Sequence, residues 1–302
     1  MSLFDEPSVP PRIGPYRIDR LLAAGGMGEV LLGWDEGLNR PVALKRLRAS
    51  SRTDPKRRER FRREARCAAS LDHSAIVRVY EFLEEEDGLC IVMEYIEGTT
   101  LRRALREGPM PIRLALDLAI SLADALAIAH ENGVVHRDLK TENVMFTKGA
   151  RVKITDFGIA KRMLRDEGSL TQSAVLLGTC RSMAPEQALG EPVGPRSDLF
   201  SFGVLLYETL TGVSPFEDKN DLLTLRRLTA EPHRPVRELR PEIPEALADL
   251  IDELLEKDPA DRPERGADVV MRLVDLLHGY DAVPSSAPLS AFSKRLRAAF
   301  GR

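Results

Sequence analysis

His136-Arg137-Asp138-Leu139-Lys140-Thr141-Glu142-Asn143 is the stretch on which the reading of this chain turns. It is followed by Asp156-Phe157-Gly158 and then by Ala184-Pro185-Glu186. A given residue at a fixed position recurs by chance roughly one time in 20, so several such blocks in this order leave accident negligible. The middle block gains its meaning from its setting. It follows Val152-Lys153-Ile154, which reads as a strand, and precedes a long segment containing Ser and Thr.

Outward from these blocks, the chain divides into a strand-rich half and a helical half. Upstream, 16–24, 29–35 and 41–47 have β character and are separated by Gly25-Gly26-Met27-Gly28 and Gly37-Leu38-Asn39, the punctuation of tight strand connections. They predict one antiparallel sheet. Residues 55–71 have helical spacing and are crowded with Arg and Glu, and 77–83 and 89–95 return to strands. After Gly98 the pattern predicts helices at 111–132, 196–211, 221–230, 244–256 and 266–278. Residues 280–302 open Pro/Ser-rich and close basic, so the compact domain is expected to end near His278.

The chain has 302 residues, 43% of them hydrophobic, enough for one large domain or two packed lobes. With 44 basic against 47 acidic residues, no overall field marks a nucleic-acid binder. The Arg-rich run 52–66 is interrupted by acidic residues and reads as a solvated helix face. Cys67, Cys90 and Cys180 form no CxxC pair, against a disulfide framework or a zinc site and in favour of a reducing compartment. No secretory signal and no membrane span is read. A cytoplasmic location follows, or the cytosolic part of a longer membrane protein.

With these blocks in hand, the chain resembles the eukaryotic-like protein kinases over about 16–278, and most of all their bacterial Ser/Thr branch. The resemblance implies an α+β bilobal kinase fold: an extension at 1–15, a small antiparallel-sheet lobe with one key helix at 16–96, a larger mainly helical lobe at 97–279, and a linker with a basic tail at 280–302. It implies ATP with Mg²⁺, Mn²⁺ able to substitute, and transfer of the γ-phosphoryl group to protein Ser/Thr hydroxyls. Asp138 resembles the catalytic base, and Lys140 the residue that neutralises the transferred group. Lys45, in Val42-Ala43-Leu44-Lys45, resembles the lysine on the α- and β-phosphates, and Glu64 its ion-pair partner. Asn143 and Asp156 are implied as metal ligands. Gly25, Gly26 and Gly28 are implied as the loop over the phosphates, where absent side chains let backbone amides approach. Val30, Ala43 and Met145 are implied as walls around adenine, Met93 as the guard of the back of the pocket, and the backbone of Glu94 and Ile96 as its hydrogen-bonding edge.

The same resemblance gives Glu186, Arg262 and Asp198 bracing roles, and makes His136 a packed histidine in a column with Phe157, Ala68 and Val79. Two positions depart from the pattern: Ala23 stands where the family has Gly, and Ser182 where it has an aromatic. Cys180, expected to be exposed, reads as an ordinary thiol with a redox role left open. Thr171 and Ser173 lie where the family is regulated by phosphorylation, with Arg60, Arg137 and Lys161 able to receive the phosphate. Autophosphorylation between two copies makes a homodimer an expected partner beside protein substrates. Along 289–300, Leu289, Phe292, Leu296 and Phe300 form one helical stripe flanked by basic residues. Two rivals share the fold: a pseudokinase scaffold, opposed by the retained polar set, and a small-molecule kinase, opposed by the Gly178 to Glu186 peptide platform.

Overall fold

The computed structural model describes residues 10–25, 28–47, 69–85, 88–157 and 180–281. The helix expected at 55–71, with Glu64 and Arg60, lies almost wholly outside them. So do Gly26, Gly158, Lys161, Thr171, Ser173 and the basic tail.

Six strands form the first sheet, in the order β1-β2-β3-β4-β6-β5. They are β1 (Arg12–Ile13), β2 (Tyr16–Gly25), β3 (Gly28–Asp35), β4 (Arg40–Leu47), β5 (Val79–Glu85) and β6 (Gly88–Glu94). All described pairings are antiparallel. Gly25 opposite Gly28 leaves only two residues to close the β2–β3 hairpin. The period of two along β4 then sorts its side chains. Val42 and Leu44 are fully buried among Leu31, Cys90 and Val92 in a compact apolar core. Ala43 and Lys45 face the other way, beside Val30, Ile91 and Met93 on the neighbouring strands.

The sheet is strongly curled. β2 and β5 stand far apart in the strand order, yet the Tyr16 hydroxyl on β2 donates to Glu81 on β5 at 2.7 Å. The Arg40 guanidinium also covers the Tyr80 ring at 3.8 Å. Arg12–Ile13 were expected to belong to an extension, but they pair with the start of β2 and bury Ile13 in the same core. The sheet therefore begins before residue 16.

From Glu94 the chain crosses to a small sheet, β7 (Gly98–Thr100), β8 (Val144–Thr147) and β9 (Val152–Ile154). Helices fill the rest: α1 (Leu101–Ala104), α2 (Ile112–Glu131), α3 (Pro185–Leu189), α4 (Pro195–Thr211), α5 (Asp221–Ala230), α6 (Val236–Leu239), α7 (Glu245–Leu254) and α8 (Gly266–Asp281). α4 is buried on every side, with Leu199, Phe200, Phe202 and Leu210 shut from solvent, as the central helix of a large core must be. α8 crosses α2 at Gly266, where a methyl group would sit 3.1 Å from the backbone of Ala127. Backbone bonds from Val77 to Ile154 (2.9 Å) and from Ile154 to Ala75 (2.7 Å) tie the approach to the upper sheet to β9.

Candidate active site

The upper wall of the cleft is the face of the curled sheet that turns away from its core. Register alone places Val30 and Lys45 opposite each other, and Ala43 opposite Met93. Met145 comes from the lower side, on β8, opposite Lys153 of β9. The Glu94 amide is taken by the Arg78 carbonyl at 2.9 Å, while the Ile96 amide has no partner among the described residues. Lys45 reaches across the cleft, its Nζ 2.5 Å from Oδ1 of Asp156. Asp156 has φ +59° and Arg137 φ +65°, left-handed backbone that a non-glycine residue adopts only under support from its surroundings.

That support can be named for the loop 136–143. Asp198, on the first turn of α4 and 1% exposed, accepts the His136 amide at 2.6 Å, the Arg137 amide at 2.7 Å and His130 Nε2 at 2.8 Å. His136 is fully buried, and burial holds its imidazole below the usual range. Its Nε2–H donates to the Thr155 carbonyl at 3.0 Å and its Nδ1 accepts the Asp138 amide at 3.2 Å, the pattern of a neutral ring. The ring rests on Phe157 at 4.6 Å between centroids. His136 is therefore a spacer in the core, and it holds the amide next to the Asp138 carboxylate.

The loop brings the charged groups together. Lys140 Nζ lies 3.3 Å from Oδ2 of Asp138, and the Asn143 amide group donates to the Asp138 carbonyl at 2.8 Å. Thr155, next to Asp156, donates its own amide to the Asn143 carbonyl at 2.8 Å, so the two expected metal ligands are linked through one backbone bond. Below them Arg262 grips Glu186 with two hydrogen bonds, 2.8 and 2.9 Å, in a buried pair. Burial alone would raise the Glu186 carboxyl; the bonds from Arg262 and Ser197 outweigh it and hold it below the usual range.

Lys45, Met93 and Asp156 also line a small open pocket with Val79, Ile154 and Phe157. Val30, Ala43 and Met145 do not line it. Among the described residues no cluster of three His, Cys, Asp or Glu could hold a metal alone. One amide and one carboxylate, Asn143 and Asp156, suit instead a hard cation that keeps oxygen ligands from elsewhere, as Mg²⁺ does on phosphates.

Cys180 differs from expectation. It is fully buried and its thiol hydrogen-bonds Asp221 at 3.4 Å, with burial pushing its pKa up to about 11. A protonated, enclosed thiol has no redox exposure. The sequence also gave no role to the side chain of Glu94, which takes the Lys153 ammonium at 2.8 Å, nor to Thr141, Glu208 and Arg102, which form a network under the loop. A lone Glu inside the apolar run Val204-Leu205-Leu206-Tyr207-Glu208 was the available signal for the last of these.

Residues 16–272 match the family model described as "Protein kinase domain". Among curated proteins, the chain is similar to serine/threonine-protein kinase pkn2 of Myxococcus xanthus, at 42% identity over 83% of this chain and 31% of that one. It is 39% identical to PknB of Mycobacterium leprae, over 93% of this chain and 46% of PknB. It is 41% identical to PknA of Mycobacterium tuberculosis, over 84% and 59%. It thus spans 31% to 59% of the length of these relatives. Among solved structures, the PknI kinase domain of Mycobacterium tuberculosis superposes with a TM-score of 0.69 at 27% identity, covering 87% of this chain and 97% of that domain.

Proposed function

The chain belongs to the protein kinase domain family, and from that membership we propose that it transfers the γ-phosphoryl group of ATP to Ser or Thr hydroxyls of proteins. The observation that carries the reading is the convergence of Lys45, Asp138, Lys140, Asn143 and Asp156 from both lobes onto one cleft, with Lys45 closed on Asp156. A phosphoryl transfer of this kind asks a protein mainly to position and neutralise oxygen-borne charge.

The residue roles follow from their chemistry. The Asp138 carboxylate orients the attacking hydroxyl and accepts its proton. Lys140, within reach of Asp138, offsets charge on the transferred group. Lys45 offers a point charge to the α- and β-phosphates, and its contact with Asp156 supports a site to which both lobes present groups. Asn143 and Asp156 hold the divalent cation, Mg²⁺ with Mn²⁺ able to substitute, which when bound supplies charge neutralisation between phosphate oxygens. The Ile96 amide and the Glu94 carbonyl pair the adenine edge between Val30, Ala43 and Met145. Glu64 and the glycines complete the set by family likeness; Glu64 and Gly26 lie outside the described residues.

The test is incubation with radiolabelled ATP, Mg²⁺ and a generic basic protein, with Asp138→Ala alongside. Label on Ser or Thr of the protein, lost in the variant, is the expected result. No incorporation with either cation would favour a scaffold, and label on a sugar or antibiotic alone would favour a small-molecule kinase. Autophosphorylation at Thr171 or Ser173, also outside the described residues, should appear by intact mass after Mg-ATP. Its rate should rise with protein concentration if two copies modify each other.

A further inference from the structure

Thr141 stands between Lys140 and the metal-ligand candidate Asn143, at the start of the 3₁₀ turn Thr141–Asn143. It is 1% exposed, and a hydroxyl so enclosed must find a partner in the protein. Its Oγ1 donates to Oε2 of Glu208 on α4 at 3.2 Å; the exposed carboxylate of Glu142 is more distant, at 3.4 Å. Glu208 itself is 8% exposed, in the last turn of the buried core helix. Its other oxygen takes the Arg102 guanidinium, whose Nε lies 3.8 Å from Glu142. Burial pushes the Glu208 carboxyl up, Glu142 adds to that, and the Arg102 charge and the Thr141 hydroxyl oppose it. A carboxylate held here against its desolvation needs both partners.

The turn is consequently pinned at two points. Asn143 is fixed to the Asp138 carbonyl at its far end, and Thr141 to α4 at its near end. Lys140 precedes the second anchor directly and its carbonyl takes the Asn143 amide at 2.9 Å, so its aim depends on both ends of the turn. Arg102 adds a link to the lower side of the cleft, because α1 follows β7, and β7 sets Thr100 opposite Met145.

We propose that Thr141 and Glu208 are positioning residues for phosphoryl transfer: the bond between them sets the turn that aims Lys140 and Asn143, and Arg102 holds Glu208 in place. This inference rests on the kinase reading given above. The decisive comparison is Thr141→Val, which keeps the shape and loses the hydroxyl, against Thr141→Ser, which keeps the hydroxyl. Thr141→Val should melt within about 4 °C of wild type. Its KM values should stay within twofold, while kcat falls about 10-fold or more, as for partners that orient a metal ligand. Calorimetric titration of ADP at graded Mg²⁺ should show the cation requirement displaced upward by a similar factor. Thr141→Ser should recover both. A Thr141→Val enzyme within twofold of wild type in kcat and in Mg²⁺ requirement, or a Thr141→Ser enzyme equally impaired, overturns the proposal. A wild type that transfers no phosphate retires the kinase reading, and the Mg-ADP titration of the three proteins then decides the positioning claim by itself. Wild type that binds no Mg-ADP retires both.

Discussion

Lys45 and Lys140 face the same cleft from opposite walls, and different structures aim them. Lys45 sits on a strand, and its direction follows from the alternation that buries Val42 and Leu44 behind it. Its neighbours Val30, Ile91 and Met93 come from paired strands at fixed register. Lys140 lies on backbone that is neither strand nor helix, and so do Asp138 and Asp156. Their positions depend on buried polar groups: Asp198 holding the amides of His136 and Arg137, Thr141 on Glu208, and Glu186 under Arg262. A register is specified many times over, because slipping it would turn a whole apolar face to solvent. A loop held by a few hydrogen bonds has no such redundancy. The upper wall should therefore tolerate loss of a single polar contact, and the lower wall should not.

The largest effect should come from Glu186→Ala. It strands the Arg262 guanidinium in the core, and breaking a buried pair from one side costs about 3–5 kcal/mol. Urea denaturation at neutral pH reads it; a loss below about 1 kcal/mol would break the contrast between the walls. Next in size are Lys45→Ala and Asp156→Ala, each expected to lower phosphoryl transfer at least about 100-fold, as when one preorganised electrostatic group is removed. Both should leave the melting temperature nearly unchanged, since these side chains meet across the open cleft rather than in a core. Wild-type turnover in either variant would remove it from the site.

The same division explains what the sequence disclosed. β2 to β6 of the upper sheet were legible because alternation and glycine punctuation are local signals, and so were the longer helices α2, α4, α5, α7 and α8. Lys45, Asp138, Asn143 and Asp156 could be picked out by residue blocks, and the structure gathers these four. Three features were not legible, each for a physical reason. β1 is two residues long, too short to show a period, and only its pairing with β2 defines it. The closure of the sheet by Tyr16 and Glu81 joins positions 65 residues apart. The burial of Cys180 depends on α5, whose Asp221 meets the thiol. Glu64, Thr171 and Ser173, chosen by family pattern, fall outside the described residues and remain proposals.

Tyr16→Phe gives the counterpart on the upper wall. The hydroxyl is raised above the usual phenol range by burial and by its bond to Glu81, so it stays a donor. Removing it should cost about 1 kcal/mol, the usual net value of one hydrogen bond, because Glu81 is exposed and can turn to water. Urea denaturation measures it, and phosphoryl transfer should not change, since register rather than this bond aims Lys45. A severe loss of activity would mean that the curl of the sheet, not its register, holds the upper wall.

Lys257→Met should have the smallest effect and tests the lower wall by pH. The Lys257 ammonium lies 3.7 Å over the Phe216 ring and donates to the Leu228 carbonyl at 2.9 Å, near the end of α5. Burial, then the neighbouring Arg262 charge, pushes its pKa down to about 8, with Glu256 and Glu231 opposing. The ring and the carbonyl favour the ammonium, so what survives of the shift measures how far desolvation outweighs them. Below pH 8 both folded and unfolded chains hold the proton, and the cost of the buried charge is present in full. Between about 8 and 10.5 the unfolded chain keeps a proton that the folded one releases, so stability rises with pH across that window. Methionine keeps a flexible apolar stem and carries no charge. The stability of wild type relative to Lys257→Met should therefore improve from pH 7.5 to pH 10, by roughly 0.5 kcal/mol or less, because the side chain is partly open to solvent screening. Paired urea curves at the two pH values isolate the term, since every other titration is common to both proteins. A difference that stays flat, or that moves against wild type, would show that the ring and the carbonyl fully offset the burial.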